Sequence, residues 1–356
     1  MSSLSQKRKT PPDSLDANKQ YDLFTTFFGK DKRDLSNTIE LWDAIPKYAV
    51  SPRQQNARRD DNGRLPVYVQ EFHYRPSQGD NATLTCRLKV QPASIETSSG
   101  QFVDFYPSTD EELIEEVLKK IFSDQQYGIH SVEAYESWVR FTLYMIQKEL
   151  KNRGKTRSLD EIKRSLEVMS GAVYEIEFQG QPRGLKYTNP ILNDLTRITR
   201  DDYQQDPKAM WTARLPALVS KSINDVTYRQ FNYATLMSLP TPLSRWFHKR
   251  LSHRYINAGV MNSYKIRYST IKRDSGLLHH SRSSANRKAI DAALNELIQR
   301  NVLLSVSSEE QREGREIIEV RYDLNAHPHF VTEVKAANAR QRDHRQSLSI
   351  KPKTYR

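Results

Sequence analysis

Residues 283–324, SSANRKAIDAALNELIQRNVLLSVSSEEQREGREIIEVRYDL, limit what this chain can fold into more than any other stretch. Ile290, Leu294 and Leu297 recur at i, i+4 and i+7, and Ile298 widens that face, so the first half reads as an amphipathic helix. Lys288, Asn295 and Gln299 occupy the opposite face, with Arg287 on the flank. Ser283 or Ser284 can cap its start, because a side-chain oxygen there accepts a backbone N–H left without a helical partner. Two strand-like runs follow, 302–307 and 317–324, joined by a charged, glycine-containing loop at 309–315. A helix running directly into a charged-tipped hairpin is what a winged helix requires. The helix N-terminus would enter a major groove and the wing would lie on phosphates.

The charge distribution supports that geometry. The 356-residue chain carries 55 Lys and Arg against 43 Asp and Glu, a formal +12. Nearly all the surplus lies at one end: residues 241–356 hold 22 basic and 11 acidic side chains, and residues 245–300 hold 12 and 3. A local positive field of this kind implies a polyanionic partner, nucleic acid first. No basic helix with a Trp/Phe face argues for an anionic membrane. Arg282, Ser284, Arg287 and Lys288 surround the start of the helix, where Arg and Lys reach guanine edges or phosphates and Ser adds hydrogen bonds. Lys272 and Arg273 stand on a short preceding helix, and Arg312 and Arg315 lie at the wing, diluted by Glu309, Glu310 and Glu313.

The length suits two domains plus tails. A single cysteine, Cys86, excludes an intramolecular disulfide and a cysteine-cluster metal site, and its alternating surroundings predict a buried thiol. No apolar run approaches the roughly 18 residues of a membrane span. The N-terminal MSSLSQKRKTPPDS has no apolar core behind its basic residues and is not a secretory signal, so a cytoplasmic protein is expected.

The pattern predicts an α+β chain with tandem winged-helix domains, a disordered N-terminal arm and a basic C-terminal tail. Residues 1–64 form the arm. Within it lie an apolar cluster, Gln20-Tyr21-Asp22-Leu23-Phe24, and a second patch at 39–50 that either docks on the body or meets a partner; 51–64 have linker composition. The first winged helix spans 65–225. Its expected elements are strands at 67–74 and 83–90, and helices at 110–123 and 133–152, the latter with Trp138, Phe141 and Met145 on one face. A helix at 158–170 follows, opened by a Ser158/Glu161 capping box with Leu159, Ile162, Leu166 and Met169 facing inward, and then strands at 172–178, within 185–198 and at 210–215. Lys155, Arg157, Lys163 and Arg164 cluster at its turn and second helix as candidate DNA contacts. The second unit, 226–340, repeats the order: helices at 228–238 and 243–255, a strand at 264–268, a helix at 270–278, the helix and hairpin described above, and a final helix at 326–340. Residues 341–356 form the basic tail.

Three further patterns carry residue types used in other chemistries. Gly154-Lys155-Thr156 imitates the end of a phosphate-binding loop, but Glu149 stands where that loop needs its first glycine. His327-Pro328-His329, with Tyr322 or Tyr355 as nucleophile, offers a metal-dependent nickase of the His-hydrophobic-His type. Pro328 suits the central strand of such a site poorly. His279-His280 is a doublet in a polar turn, expected solvated or facing DNA. No catalytic residue, metal site or cofactor is expected.

These residues carry a resemblance. FYPSTDEELIEEVL from Phe105, FTLYMIQKEL from Phe141, RSLDEIKRSLEVMSG from Arg157, YRQFNYATLMSLPTPLSRWFHKRL from Tyr228, and 270–306 resemble plasmid replication initiators of the TrfA-like group over about two-thirds of the chain. Gln20, Asp22, Leu23 and Phe24 are similar to the sliding-clamp-binding peptide such initiators carry, with Tyr21 in place of the preferred Leu. The resemblance implies a non-catalytic protein that binds repeated origin sites (iterons) in double-stranded DNA and opens the duplex. It further implies recruitment of host DnaA, the DnaB helicase and the DNA polymerase III sliding clamp, and a homodimeric inactive form. A winged-helix transcriptional regulator fits the pattern of residues as well.

Overall fold

The structure is a computed structural model that describes residues 34–349 apart from 77–81, 98, 125, 180–185, 200, 203–208 and 260. The QYDLF cluster at 20–24 and Tyr355 lie outside the described residues.

The chain enters through β1 (Leu35–Ile39) and α1 (Glu40–Ala44), then α2 (Pro52–Arg58). These elements fall within the expected arm, yet they are folded onto the body. Trp42 is fully buried, and Ile39, Ile45, Ala49 and Val50 are each at most 4% exposed. The linker-like composition of 51–64 conceals α2, which Ser51 opens with a capping box closed by Gln54. Next come β2 (Tyr68–Tyr74), β3 (Leu84–Gln91), β4 (Ala93–Glu96), β5 (Phe102–Phe105) and α3 (Thr109–Phe122). The Ser108 backbone N–H donates to Glu111 Oε2 at 2.7 Å at the start of α3.

A single helix over 133–152 does not form. Instead β6 (Gly128–Ser131) and β7 (Glu136–Phe141) make a hairpin, and α4 (Leu143–Asn152) starts where Thr142 Oγ1 accepts the Met145 N–H at 3.1 Å. Trp138, Val139 and Phe141 have strong strand preferences and are fully buried in a sheet that adds the distant β10 and β11 to the local hairpin. Their helix-like spacing is therefore overridden. In α5 (Leu159–Gly171) the Ser158/Glu161 capping box forms as expected, and Ile162, Leu166 and Met169 are buried. Leu159, expected inward, is 44% exposed. The strands β8 (Val173–Phe178), β9 (Lys186–Pro190), β10 (Asn193–Thr196) and β11 (Trp211–Arg214), with α6 (Ala217–Asn224), complete this part. Two four-stranded antiparallel sheets result, ordered β2-β3-β8-β9 and β10-β11-β7-β6.

The expected helix at 228–238 is a strand followed by a helix. β12 (Tyr228–Asn232) pairs antiparallel with β1, and Asn232 Oδ1 then caps α7 (Tyr233–Ser238) by accepting the Thr235 N–H at 3.0 Å. The second unit follows: α8 (Pro242–Arg254), β13 (Tyr264–Arg267), α9 (Tyr268–Ser275), α10 (Ser283–Gln299), β14 (Leu303–Glu313) and β15 (Glu316–Ala326). Its three strands lie in the order β13-β15-β14. The final helix, α11 (Pro328–Ser349), runs beyond the expected end at Arg340. Gln341 Nε2 donates to the Val226 and Tyr228 carbonyls at 3.2 and 2.8 Å, and the His344 ring is buried against Tyr228. Much of the basic tail is thus helix docked on β12.

The fold is α+β with two winged helices in tandem: α4, α5 and the β8–β9 hairpin in one, α9, α10 and the β14–β15 hairpin in the other. The buried apolar side chains form two cores, one from Ile39 to Met237 and one from Leu239 to Val334. Cys86 is fully buried in β3, and burial pushes its thiol up to about 12. His248 on α8 is wedged between the Phe231 and Phe330 rings, and among the described residues neither ring nitrogen has a hydrogen-bond partner. Burial pushes it down to about 3, so it is neutral at neutral pH.

Candidate nucleic-acid interface

In the second unit, α9, a seven-residue turn at 276–282 and α10 form the helix–turn–helix. The turn starts at Gly276, whose φ is +62° and where a Cβ would stand 3.0 Å from that of Ala49 and 3.2 Å from that of Pro46. Both the left-handed backbone and the close packing demand glycine. The turn is fixed at its far end by Asn286, which is 1% exposed. Its Oδ1 accepts the His280 N–H at 3.0 Å, and its Nδ2 donates to the His280 carbonyl at 2.9 Å and to Tyr268 Oη at 3.2 Å. Asn286 therefore sets the angle at which α10 leaves the turn, a role that no periodicity in the sequence signals. His279, expected to be solvated or to face DNA, donates from Nε2 to the Ala49 carbonyl at 2.6 Å and ties the turn to the N-terminal segment.

α10 buries Ile290, Ala293, Leu294 and Leu297 and leaves its first turns open. Neither Ser283 nor Ser284 is the N-cap. Arg282 holds that position with no side-chain cap, so the first N–H groups of the helix remain available to an anion. Arg282, Ser284 and Lys288 are exposed and Arg287 is half-buried; Ser284, Arg287 and Lys288 share one face at i, i+3 and i+4. Arg287 also lies close enough to Asp291 to oppose the upward push of burial on that carboxyl.

The wing is longer than the sequence suggests. Eleven-residue strands β14 and β15 pair up to Glu313 and Glu316, with Gly314 at φ +60° in the tip. The expected loop at 309–315 is thus mostly ladder. Arg312 is held by Glu310 at 2.5 Å and Arg321 by Glu309 at 2.7 Å, while Arg315 stands exposed at the tip. Five glutamates (Glu309, Glu310, Glu313, Glu316 and Glu319) outnumber three arginines along this hairpin, so its field opposes a phosphate rather than drawing it.

In the first unit Lys163 and Arg164 are exposed on α5. Arg157 is committed to Asp110, with Nη2 and Nε at 2.5 and 3.1 Å from Oδ1, and Lys155 is half-buried, where burial lowers its pKa. On α9, Lys272 is exposed, whereas Arg273 pairs with Asp274 at 2.7 Å and lines the cleft between the units.

A buried ionic cluster joins the units, again without a sequence signature. Arg245 of α8 is 1% exposed and forks onto Glu112 of α3, with Nη2 and Nε at 2.7 and 3.1 Å from Oε2. Lys249 reaches Glu116 at 3.1 Å and Glu112 at 3.5 Å. Lys119 pairs with Glu116 at 2.8 Å and Asp43 at 3.3 Å, and Lys47 with Glu115 at 3.1 Å. Burial pushes the Glu112 and Glu115 carboxyls up, but the surrounding cations outweigh it and hold both below the usual carboxylate range.

His327 and His329 sit at the junction of β15 and α11. The His329 N–H donates to His327 Nδ1 at 3.1 Å, and the His329 ring is 61% exposed beside Glu333. Tyr322 is 2% exposed. Among the described residues no group of three or more His, Cys, Asp or Glu side chains is placed to hold a metal, and no helix is long and apolar enough to cross a membrane.

No family model matches the sequence, and no curated protein matches it. Among solved structures, the chain is similar to selenomethionine domains 2 and 3 of RctB, with a TM-score of 0.45 and 10% identity over 81% of this chain and 98% of that one. A second structure of RctB domains 2–3 gives 0.42 and 10% over 83% and 99%. The Pi initiator protein in complex with iteron DNA gives 0.35 and 10% over 84% and 99%.

Proposed function

We propose that this chain is a replication initiator that binds repeated origin sites in double-stranded DNA through its two winged helices. The observation that carries the reading is α10. One face is sealed in a core, its entry is fixed by Asn286, and its uncapped first turns present Arg282, Ser284, Arg287 and Lys288 to solvent. Lys163 and Arg164 on α5 are the corresponding contacts of the first unit, with Lys272 beside α10 reaching phosphate. Arg315 remains a wing contact; Arg312, Arg157 and Arg273 serve mainly in their ion pairs. Origin opening, recruitment of DnaA and DnaB, and a homodimeric resting form rest on the TrfA-like resemblance alone.

The test begins with footprinting on DNA flanking the gene. On the protected site, Arg282→Ala/Lys288→Ala should weaken binding at least tenfold and flatten the slope of log K against log salt by about two. Arg287→Ala should lose about 1–3 kcal/mol of discrimination at one base pair. Affinities unchanged in these variants reject α10 as the reading helix. Strand opening at the bound site, read by permanganate reactivity, separates an initiator from a regulator that binds without melting.

The QYDLF segment is proposed as a clamp-binding peptide, Leu23 and Phe24 filling an apolar pocket and Gln20 and Asp22 bonding at its rim. Leu23→Ala/Phe24→Ala should abolish capture of the purified polymerase clamp, and retained capture removes the assignment.

A further inference from the structure

The cleft between the units holds a cavity of about 700 Å³ that the DNA reading does not use. Its walls come from three places: Glu40 and Asp43 of the N-terminal segment, His73 and Arg75 at the end of β2, and Trp246, Arg250, His253 and Arg254 along α8. The acids lining it are already engaged. Asp274 takes Arg250 at 3.1 Å and Arg273 at 2.7 Å, Asp43 takes Lys119 at 3.3 Å, and Glu40 bonds Tyr74. Arg254 differs. Among the described residues its guanidinium has no hydrogen-bonded or ion-paired partner and only stacks over the Tyr74 ring at 5.8 Å. In the same wall His253 Nδ1 meets Thr38 Oγ1 at 3.1 Å, but its Nε2 is buried without a partner. Burial first, and then the neighbouring Arg250, push Arg254 below the ordinary arginine value against the weaker opposing pull of Glu40, and a bound anion would relieve both.

From the unpartnered Arg254 guanidinium, the surplus of cations around it and the size of the space, we infer that this cleft binds a small phosphate ester of nucleotide size. The phosphate sits on Arg254, with Arg75 lining the same space and Arg250 held back by Asp274 and Tyr264. A forked guanidinium suits phosphate oxygens, and the cavity far exceeds a bare phosphate while matching the roughly 300–1,000 Å³ of small-ligand sites. The body of the ester fills the rest of the cleft, whose Trp246 ring is already stacked under Arg250 at 5.1 Å. Because both units line the cleft, an occupied cleft holds them together.

The full chain is titrated with AMP, adenosine and inorganic phosphate, reading the melting temperature and binding heat. AMP should raise the melting temperature by about 2–4 °C at ten times its dissociation constant. Inorganic phosphate should bind at least threefold more weakly, and adenosine should have no effect. Arg254→Gln should weaken AMP at least tenfold, whereas Lys288→Ala should leave AMP binding unchanged. Four results overturn the proposal: no response to AMP, an equal response in Arg254→Gln, inorganic phosphate binding as tightly as AMP, or displacement of AMP by a short DNA duplex, which would make the cleft part of the DNA surface.

Discussion

Replacing Arg245 by Ala should destabilise the protein by about 3–5 kcal/mol, because it strands Glu112 in the interior without its forked partner. The Arg245 guanidinium also donates to the Leu239 and Pro240 carbonyls at 3.2 and 3.3 Å, which would lose their donor. The double variant Arg245→Met/Glu112→Met should lie far nearer the parent than either single change, since removing both charges removes both desolvation penalties. Chemical denaturation of the parent, Arg245→Met, Glu112→Met and the double variant measures the coupling, and additive losses would show that the pair is not the unit of stability. The same cluster fixes an acid limit. Glu112 and Glu115 titrate lower folded than unfolded, so their stabilisation is full above about pH 4.5 and disappears as pH falls through the folded values. His248 and His253 act earlier: each is held down to about 3, so below pH 6.5 the unfolded chain takes up protons that the folded one refuses. The melting temperature should fall continuously from pH 6.5 downward.

Trp42→Ala should cost about 3–5 kcal/mol. This ring is fully buried, meets Tyr174 edge-on at 6.5 Å, carries the Lys47 ammonium 4.1 Å above it, and donates from Nε1 to Glu115 Oε1 at 2.5 Å. Trp42→Phe should keep most of the packing and lose about 1–3 kcal/mol for the buried carboxylate left one donor short. Denaturation midpoints decide it. A Trp42→Ala protein as stable as the parent would mean that the N-terminal segment is an appendage rather than part of the first core.

Much of the helix–turn–helix of each unit was legible in local sequence, because caps and helical faces are local physics. The Ser158/Glu161 capping box and the Ile290, Leu294, Leu297 face formed as expected. What was not legible depends on partners distant in the chain. Tyr228–Asn232 reads as helix until β1, nearly two hundred residues earlier, supplies the other edge of its ladder. Trp138 and Phe141 fit a helical stripe equally well, and β11, some seventy residues on, decides for a strand. The acidic run on α3 carries no local sign of burial; its burial follows from Lys47, Arg245 and Lys249 arriving from other elements and from Lys119 of the helix itself. For the candidate interface, the exposed members of the basic set at α10 were readable by position, whereas Arg157, Arg273 and Arg312 proved paired because their carboxylates are set by the fold.

The lone thiol of Cys86 lies sealed in β3 and is kept protonated. The native molecule should consequently be silent toward maleimides, leaving any cysteines added at the surface as its only labelling points. Spin or dye labels placed in pairs, one at Lys163 and one at Lys288, would report the span between α5 and α10 directly, with and without DNA, against no background from the parent chain.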